Sequence, residues 1–156
     1  MAVRDARPED APALARLLNR IVDEGDKTAI DEHVTAEAFT TWFISGPHCL
    51  SCVVATDLDD LQRFQAVEVY HDDLPRGWAD IATFVTRDAR GRGIGKALMT
   101  ATTTNCSERR LQMLRAVIRR SNLGAVSYYR GMGFSEPPPI DDSSDSLSTV
   151  LVRALT

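Results

Sequence analysis

The chain is 156 residues long, carries a formal charge of −4 and is 44% hydrophobic. That is enough chain to bury a core without disulfide or metal staples, and its even composition suits one domain spanning residues 1–156. No apolar run approaches the ~18 residues that span a bilayer, residues 1–5 lack a signal-peptide core, and the net negative charge argues against general nucleic-acid binding. A cytoplasmic protein with neither a membrane nor a nucleic-acid partner is expected.

Residues 3–6 read as a short strand, and Pro8, Glu9 and Asp10 open a helix whose Leu14, Leu17, Leu18, Ile21 and Val22 recur at helical spacing. After a polar loop over 24–33, Thr35 caps a second helix that carries Phe39, Phe43 and Ile44 and ends at Gly46-Pro47. Segments 50–56 and 64–71 flank the acidic turn Asp57-Leu58-Asp59-Asp60 as an antiparallel hairpin. Cys49 and Cys52, beside His48, have the spacing of metal and redox sites. No second pair completes a zinc set, and strand positions three apart face opposite ways, so core cysteines and no metal are expected. A loop with Pro75 and Gly77 then leads to a strand over 80–86.

The run Arg90-Gly91-Arg92-Gly93-Ile94-Gly95-Lys96 joins that strand to a helix over 94–106. A glycine turn at a helix start offers free backbone N–H groups, the positive end of the helix dipole and cationic side chains, which suits a pyrophosphate. The spacing fails as a nucleotide-triphosphate loop, since Arg90 stands where glycine is needed and Ala97 where a hydroxyl is needed. It also fails as a dinucleotide fingerprint, because Lys96 occupies the third small position. Beyond the helix, 113–118 is a strand, Ser121 or Asn122 caps a helix bearing Tyr128 and Tyr129, Gly131 to Gly133 end it, and Phe134 begins a short strand. A proline-opened acidic loop over 137–146 and a closing strand over 148–154 complete the chain.

Arg90, Gly93 and Gly95 match the Arg/Gln-x-x-Gly-x-Gly/Ala arm of the GCN5-related N-acetyltransferase (GNAT) family, and Asn122, Ala125, Tyr129, Gly133 and Phe134 resemble its second signature at the usual distance. The resemblance is specific over 80–134 and topological elsewhere. It implies an α/β fold with a mixed, strongly twisted sheet of about seven strands and helices on both faces. It also implies direct transfer of acetyl from acetyl-CoA, the cosubstrate, to a primary amine within a ternary complex. The pattern of residues 80–95 is similar to phosphinothricin and L-amino-acid acetyltransferases, so a small-molecule amine is the expected acceptor. A protein N-terminus or lysine, or a non-catalytic acyl-CoA sensor, are the alternatives. A homodimer is usual for similar proteins.

By that resemblance the backbone of Phe84, Val85 and Thr86 pairs with pantetheine and polarises the acetyl carbonyl. Arg90, Gly91, Arg92, Gly93, Ile94, Gly95 and Lys96 hold the pyrophosphate. Asn122 bonds pantetheine or caps its helix. Tyr129 protonates the leaving thiolate, while Tyr128, ~100° away around the helix, packs. An amine of reference pKa about 10.4 must lose a proton at neutral pH. Asp80 is the first candidate base, at a position where similar proteins carry glutamate, with Glu68, His71 or a water relay in reserve. Asp141, Asp142 and Asp145 are expected at the acceptor rim, favouring cationic amines.

Overall fold

The structure, a computed structural model, describes residues 2–25, 30–57, 60–69, 74–85, 93–137 and 147–155. Its strands β1 (Ala2–Asp5), β2 (Cys49–Asp57), β3 (Asp60–Glu68), β4 (Trp78–Val85), β5 (Met113–Arg119) and β6 (Ser148–Ala154) form one mixed sheet in that order. Neighbours run antiparallel except β4 and β5. Helices α1 (Ala11–Glu24) and α2 (Ala36–Phe39) cover one face, and α3 (Ile94–Glu108) and α4 (Leu123–Gly131) the other. This is the mixed α/β architecture expected from the sequence.

Alternation along the central strands decides which residues meet which helices. Phe64 and Ala66 of β3 and Phe84 of β4 face α1, whose Leu14, Leu17, Leu18 and Ile21 are all buried. Val67, Ala79, Ile81, Leu114, Ala116 and Ile118 face α3 and α4. Phe39, Phe43, Phe64 and Phe84 make one aromatic cluster, with Phe64 and Phe84 stacked at 4.4 Å. Outside the sheet, Asn19 of α1 clamps Val34 by accepting its N–H at 2.8 Å and donating to its carbonyl at 3.0 Å, and the Thr35 hydroxyl caps α2 at the Ala38 N–H.

Two expected elements differ in form. The second helix stays α-helical only to Phe39 and widens into a π turn over Thr40–Ile44, closed by the Ser45 N–H on the Thr40 carbonyl. It stops at Gly46, where a Cβ would overlap the Thr41 carbonyl. The strand expected at Phe134 is an isolated bridge, Ser135 to Val152, so the described residues hold six strands instead of about seven. Prolines follow from residue 137, and without N–H groups they cannot extend a ladder.

The feature that positions the site is the brevity of the β4–β5 pairing. Trp78, Ala79 and Asp80 pair with Met113, Leu114 and Arg115, and there the ladder ends. From Ile81 onward β4 remains paired only to β3, and from Ala116 onward β5 remains paired only to β6. The sheet is therefore split along its middle into two arms that diverge from the Asp80–Arg115 pair, exposing unpaired main-chain groups on both arms.

Candidate active site

Gly93 adopts φ +71° as the residue before α3, a conformation that a side chain would strain, and among the described residues no atom would touch a Cβ there. Gly95 is glycine for another reason: a Cβ would lie 2.5 Å from Cε1 of Tyr128. The crowding that forbids a side chain comes from α4. Ile94 is buried against Val53, Ala55 and Leu98, leaving only its backbone for a ligand, and Lys96 is exposed. Of the other expected cofactor residues, Thr86, Arg90, Gly91 and Arg92 lie outside the described residues, as do His71, Asp141, Asp142 and Asp145.

Two cavities meet where the arms diverge. One, of about 270 Å³, is bordered by Arg63, Val85, Gly95, Gly124 and Tyr128. The other, of about 330 Å³, is bordered by Phe43, Glu68, Phe84, Val117, Arg119 and Leu147. Thr83, Asn122, Ala125 and Tyr129 line both. The expectation that only one of the adjacent tyrosines reaches the cleft is corrected, since Tyr128 also borders the smaller cavity. Only Tyr129, however, reaches both.

A hydrogen-bond chain separates the roles of the two phenols. The Tyr128 hydroxyl donates to the Gly95 carbonyl at 2.6 Å, so its proton is committed to the first turn of α3. Gln65, fully buried on β3, donates to Tyr128 at 3.1 Å and to the Thr83 hydroxyl at 2.9 Å. Thr83 in turn lies 2.8 Å from the Tyr129 hydroxyl, and either oxygen can donate. When Thr83 donates, the Tyr129 proton is free to point at a ligand. Burial raises the pKa of both phenols, with the Thr83 contact opposing it at Tyr129 and Gln65 at Tyr128. Asn122 caps α4 by accepting the Ala125 N–H at 3.2 Å.

On the opposite face, Glu68, Asp80 and Arg115 stand side by side on three strands. Arg115 grips both carboxylate oxygens of Asp80, at 2.6 and 3.0 Å. Asp80 thus has both oxygens occupied, a bidentate pairing that the sequence reading did not anticipate. Glu68 has no such partner: its Oε2 is buried and makes no hydrogen bond among the described residues. Burial first, and the neighbouring Asp80 charge second, push its pKa up to about 7.

The acetyltransferase (GNAT) family model matches residues 15–134. The chain belongs to that family. Comparison with curated proteins found no match. Among solved structures, this acetyltransferase is similar to the ribosomal-protein-alanine N-acetyltransferase of Brucella melitensis, at 21% identity and a TM-score of 0.82, covering 99% of this chain and 100% of that one. A phosphinothricin acetyltransferase from Sinorhizobium meliloti in complex with AcCoA aligns at 19% identity and 0.82, covering 99% and 88%. A GCN5-related N-acetyltransferase from Kribbella flavida aligns at 22% and 0.80, covering 99% and 97%. These likenesses carry the fold.

Seen as an acetyltransferase, the chain holds several site residues that sequence reading passed over: Arg63, Gln65, Thr83, Arg115 and Arg119. A signal for them was present. Arg63 and Gln65 alternate on the β3 face that carries Val67, and Arg115 and Arg119 repeat at even spacing on β5. Polar side chains on the inward face of a strand are costly unless used. The cysteines take no part in this site. Cys52 and Cys106 are buried, and burial raises both thiols, that of Cys106 to about 11.

Proposed function

We propose that this acetyltransferase acetylates the primary amine of a small molecule, an amino acid or analogue, by direct transfer from acetyl-CoA with both substrates bound. The observation that carries the reading is Tyr129, which lines both cavities and whose hydroxyl lies 2.8 Å from that of Thr83, another residue that lines both. The smaller cavity suits the donor: it is walled by small residues Gly95, Gly124 and Ala125, edged by the unpaired β4 arm at Val85, and adjoins the α3 N-terminus. The larger suits the acceptor, being open to the α1–α2 face and lined by a carboxyl group.

Bound there, acetyl-CoA supplies an activated thioester whose C–S bond breaks as a C–N bond to the amine forms. The chain's own groups handle position and protons. Whichever main-chain N–H of Phe84 and Val85 faces the side that β5 leaves open polarises the acetyl oxygen, and those of Gly93, Ile94, Gly95 and Lys96, with Thr86, Arg90, Gly91 and Arg92, hold the donor. Asn122 keeps its amide N–H groups available while its oxygen caps α4. Glu68 takes the role of base through a water, since Asp80 is held by Arg115 and serves to hold the divergence point together. The amine proton passes to Glu68, and Tyr129 gives a proton to the departing sulfur and recovers one from solvent. A phenol above 10 is a weak acid for a thiolate near 8.5, so its value lies in placement within hydrogen-bond reach. No acetyl-enzyme is required, and the raised cysteine pKa values disfavour one.

The test is release of coenzyme A thiol across a panel of amines, amino acids and peptides with free N-termini. Turnover with free amino acids, with initial-rate lines that intersect when both substrates are varied, supports the proposal. Turnover confined to peptides or proteins shifts it to an N-terminal or lysine acetyltransferase, and parallel lines overturn direct transfer.

A further inference from the structure

Arg119 is the last residue of β5 and has no role in the scheme above. Counting four residues outward from the Asp80–Arg115 pair along each diverging arm brings Phe84 and Arg119 to the same level, on the face that carries Glu68. Arg119 borders the larger cavity with Glu68, Phe43, Phe84, Val117 and Leu147. Its Nε is buried and makes no hydrogen bond among the described residues. The contrast with neighbouring arginines is clear: Arg115 is bidentate with Asp80, Arg120 donates to the Ser148 carbonyl and Arg130 pairs with Glu136.

A guanidinium N–H shut away from water without an acceptor is unfavourable, and a planar carboxylate is the group its fork fits best. The walls beside it are apolar, and two of them, Val117 and Leu147, are 53% and 66% exposed although large and hydrophobic. The reacting amine must lie near Tyr129, whose hydroxyl touches Thr83, the residue before Phe84. Thr83 and Phe84 point to opposite faces of β4, but Thr83, Tyr129 and Arg119 all line this one cavity, so a single acceptor there can offer an amine to Tyr129 and an anion to Arg119.

Resting on the small-molecule reading above, we infer that Arg119 binds the carboxylate of the acceptor, and that the acceptor is an amino acid with an apolar side chain. Its amine faces Tyr129, and its side chain lies against Phe43, Phe84 and Val117.

The experiment compares leucine, leucinamide and 3-methylbutylamine as acceptors for the full chain and for Arg119→Gln and Arg119→Lys, with rates expressed per unprotonated amine. The wild-type protein is expected to favour leucine over leucinamide by about 10- to 100-fold in kcat/KM, mostly through KM, the range of one charge-assisted hydrogen bond. Arg119→Gln should abolish the preference by weakening leucine alone, and Arg119→Lys should restore part of it. Equal wild-type values for leucine and leucinamide, or a uniform fall for all three acceptors in Arg119→Gln, overturn the assignment. If none is acetylated, the small-molecule reading fails, and calorimetry with leucine in the presence of coenzyme A decides Arg119 separately. Leucine binding that Arg119→Gln loses, with coenzyme A affinity kept, upholds the carboxylate site; binding that is absent or unchanged overturns it.

Discussion

At Tyr129 a single oxygen is proposed to carry the leaving-group chemistry, and the surrounding bonds state what its loss should do. Tyr129→Phe removes only the hydroxyl and its contact to Thr83, leaving the ring against Phe134 at 5.0 Å. Turnover is expected to fall about 10²- to 10⁴-fold with acetyl-CoA affinity kept, as measured by kcat and by calorimetry. Tyr128→Phe should do the reverse: it frees the Gly95 carbonyl, so acetyl-CoA KM should rise several-fold with kcat nearly unchanged. A normal kcat in Tyr129→Phe would remove the proposed acid. Glu68 is tested through pH. It faces Asp80 on β4, with Arg115 beyond that and Cys49 opposite it on β2. Because its pKa is raised to about 7, kcat/KM should climb with pH through that value as the carboxylate forms. Glu68→Gln should lose that rise and most of the rate, whereas an intact limb near 7 would return the role to another group.

Between elements, the tightest coupling is between α3 and α4 at Gly95 and Tyr128. Gly95→Ala drives a methyl into the Tyr128 ring, and overpacking of this kind typically costs about 1–3 kcal/mol. Thermal unfolding should show that loss together with weakened acetyl-CoA binding. In a Tyr128→Ala background the same change should cost little, since the clash is gone. Equal destabilisation in both backgrounds would mean that the glycine is needed for its backbone after all. This contact also marks the limit of what the sequence disclosed. The glycine start of α3, the cap at Asn122 and the tyrosine helix were legible because each is a local pattern, with a glycine, a cap and an apolar stripe within one or two turns. Gln65 meets Tyr128 across 63 positions, and Arg115 meets Asp80 across 35, so the first bond exists only through the packing of α4 on the sheet and the second only through strand register. The Arg115 partner of Asp80 stayed out of view because it comes from the parallel pairing of β4 with β5. The Ser135 bridge looked like a strand because pattern alone does not reveal how soon a ladder stops.

For the whole molecule, a split sheet with a buried carboxyl at its divergence has a thermodynamic signature. The folded state holds Glu68 with a pKa near 7 against an ordinary value of 4.5, so between those values the native protein binds more protons than the unfolded chain, and stability falls as pH rises. The loss begins near pH 4.5 and levels off above about 7. At ~1.36 kcal/mol per pH unit it amounts to about 3 kcal/mol at most, less to the extent that water reaches the carboxylate. Asp10 acts in the opposite sense: the hydrogen bond from Arg4 holds its pKa below the usual range, so its contribution is present above about 3.8 and is lost in stronger acid. Maximum stability is therefore expected in mildly acidic solution, well below the pH at which the proposed base is ionised, and catalytic competence is attained at the expense of fold stability. Unfolding midpoints recorded from pH 4 to pH 8 test this. For a chain of this length each kcal/mol moves the midpoint by roughly 2–4 °C, so the wild-type protein should lose several degrees between pH 5 and 7.5. Glu68→Gln should stay level over the same interval and match or exceed the wild type above pH 7. A wild-type midpoint that rises across that range would show that Glu68 is stabilised as a carboxylate in the folded protein, and the assignment of the base would then have to be made without it.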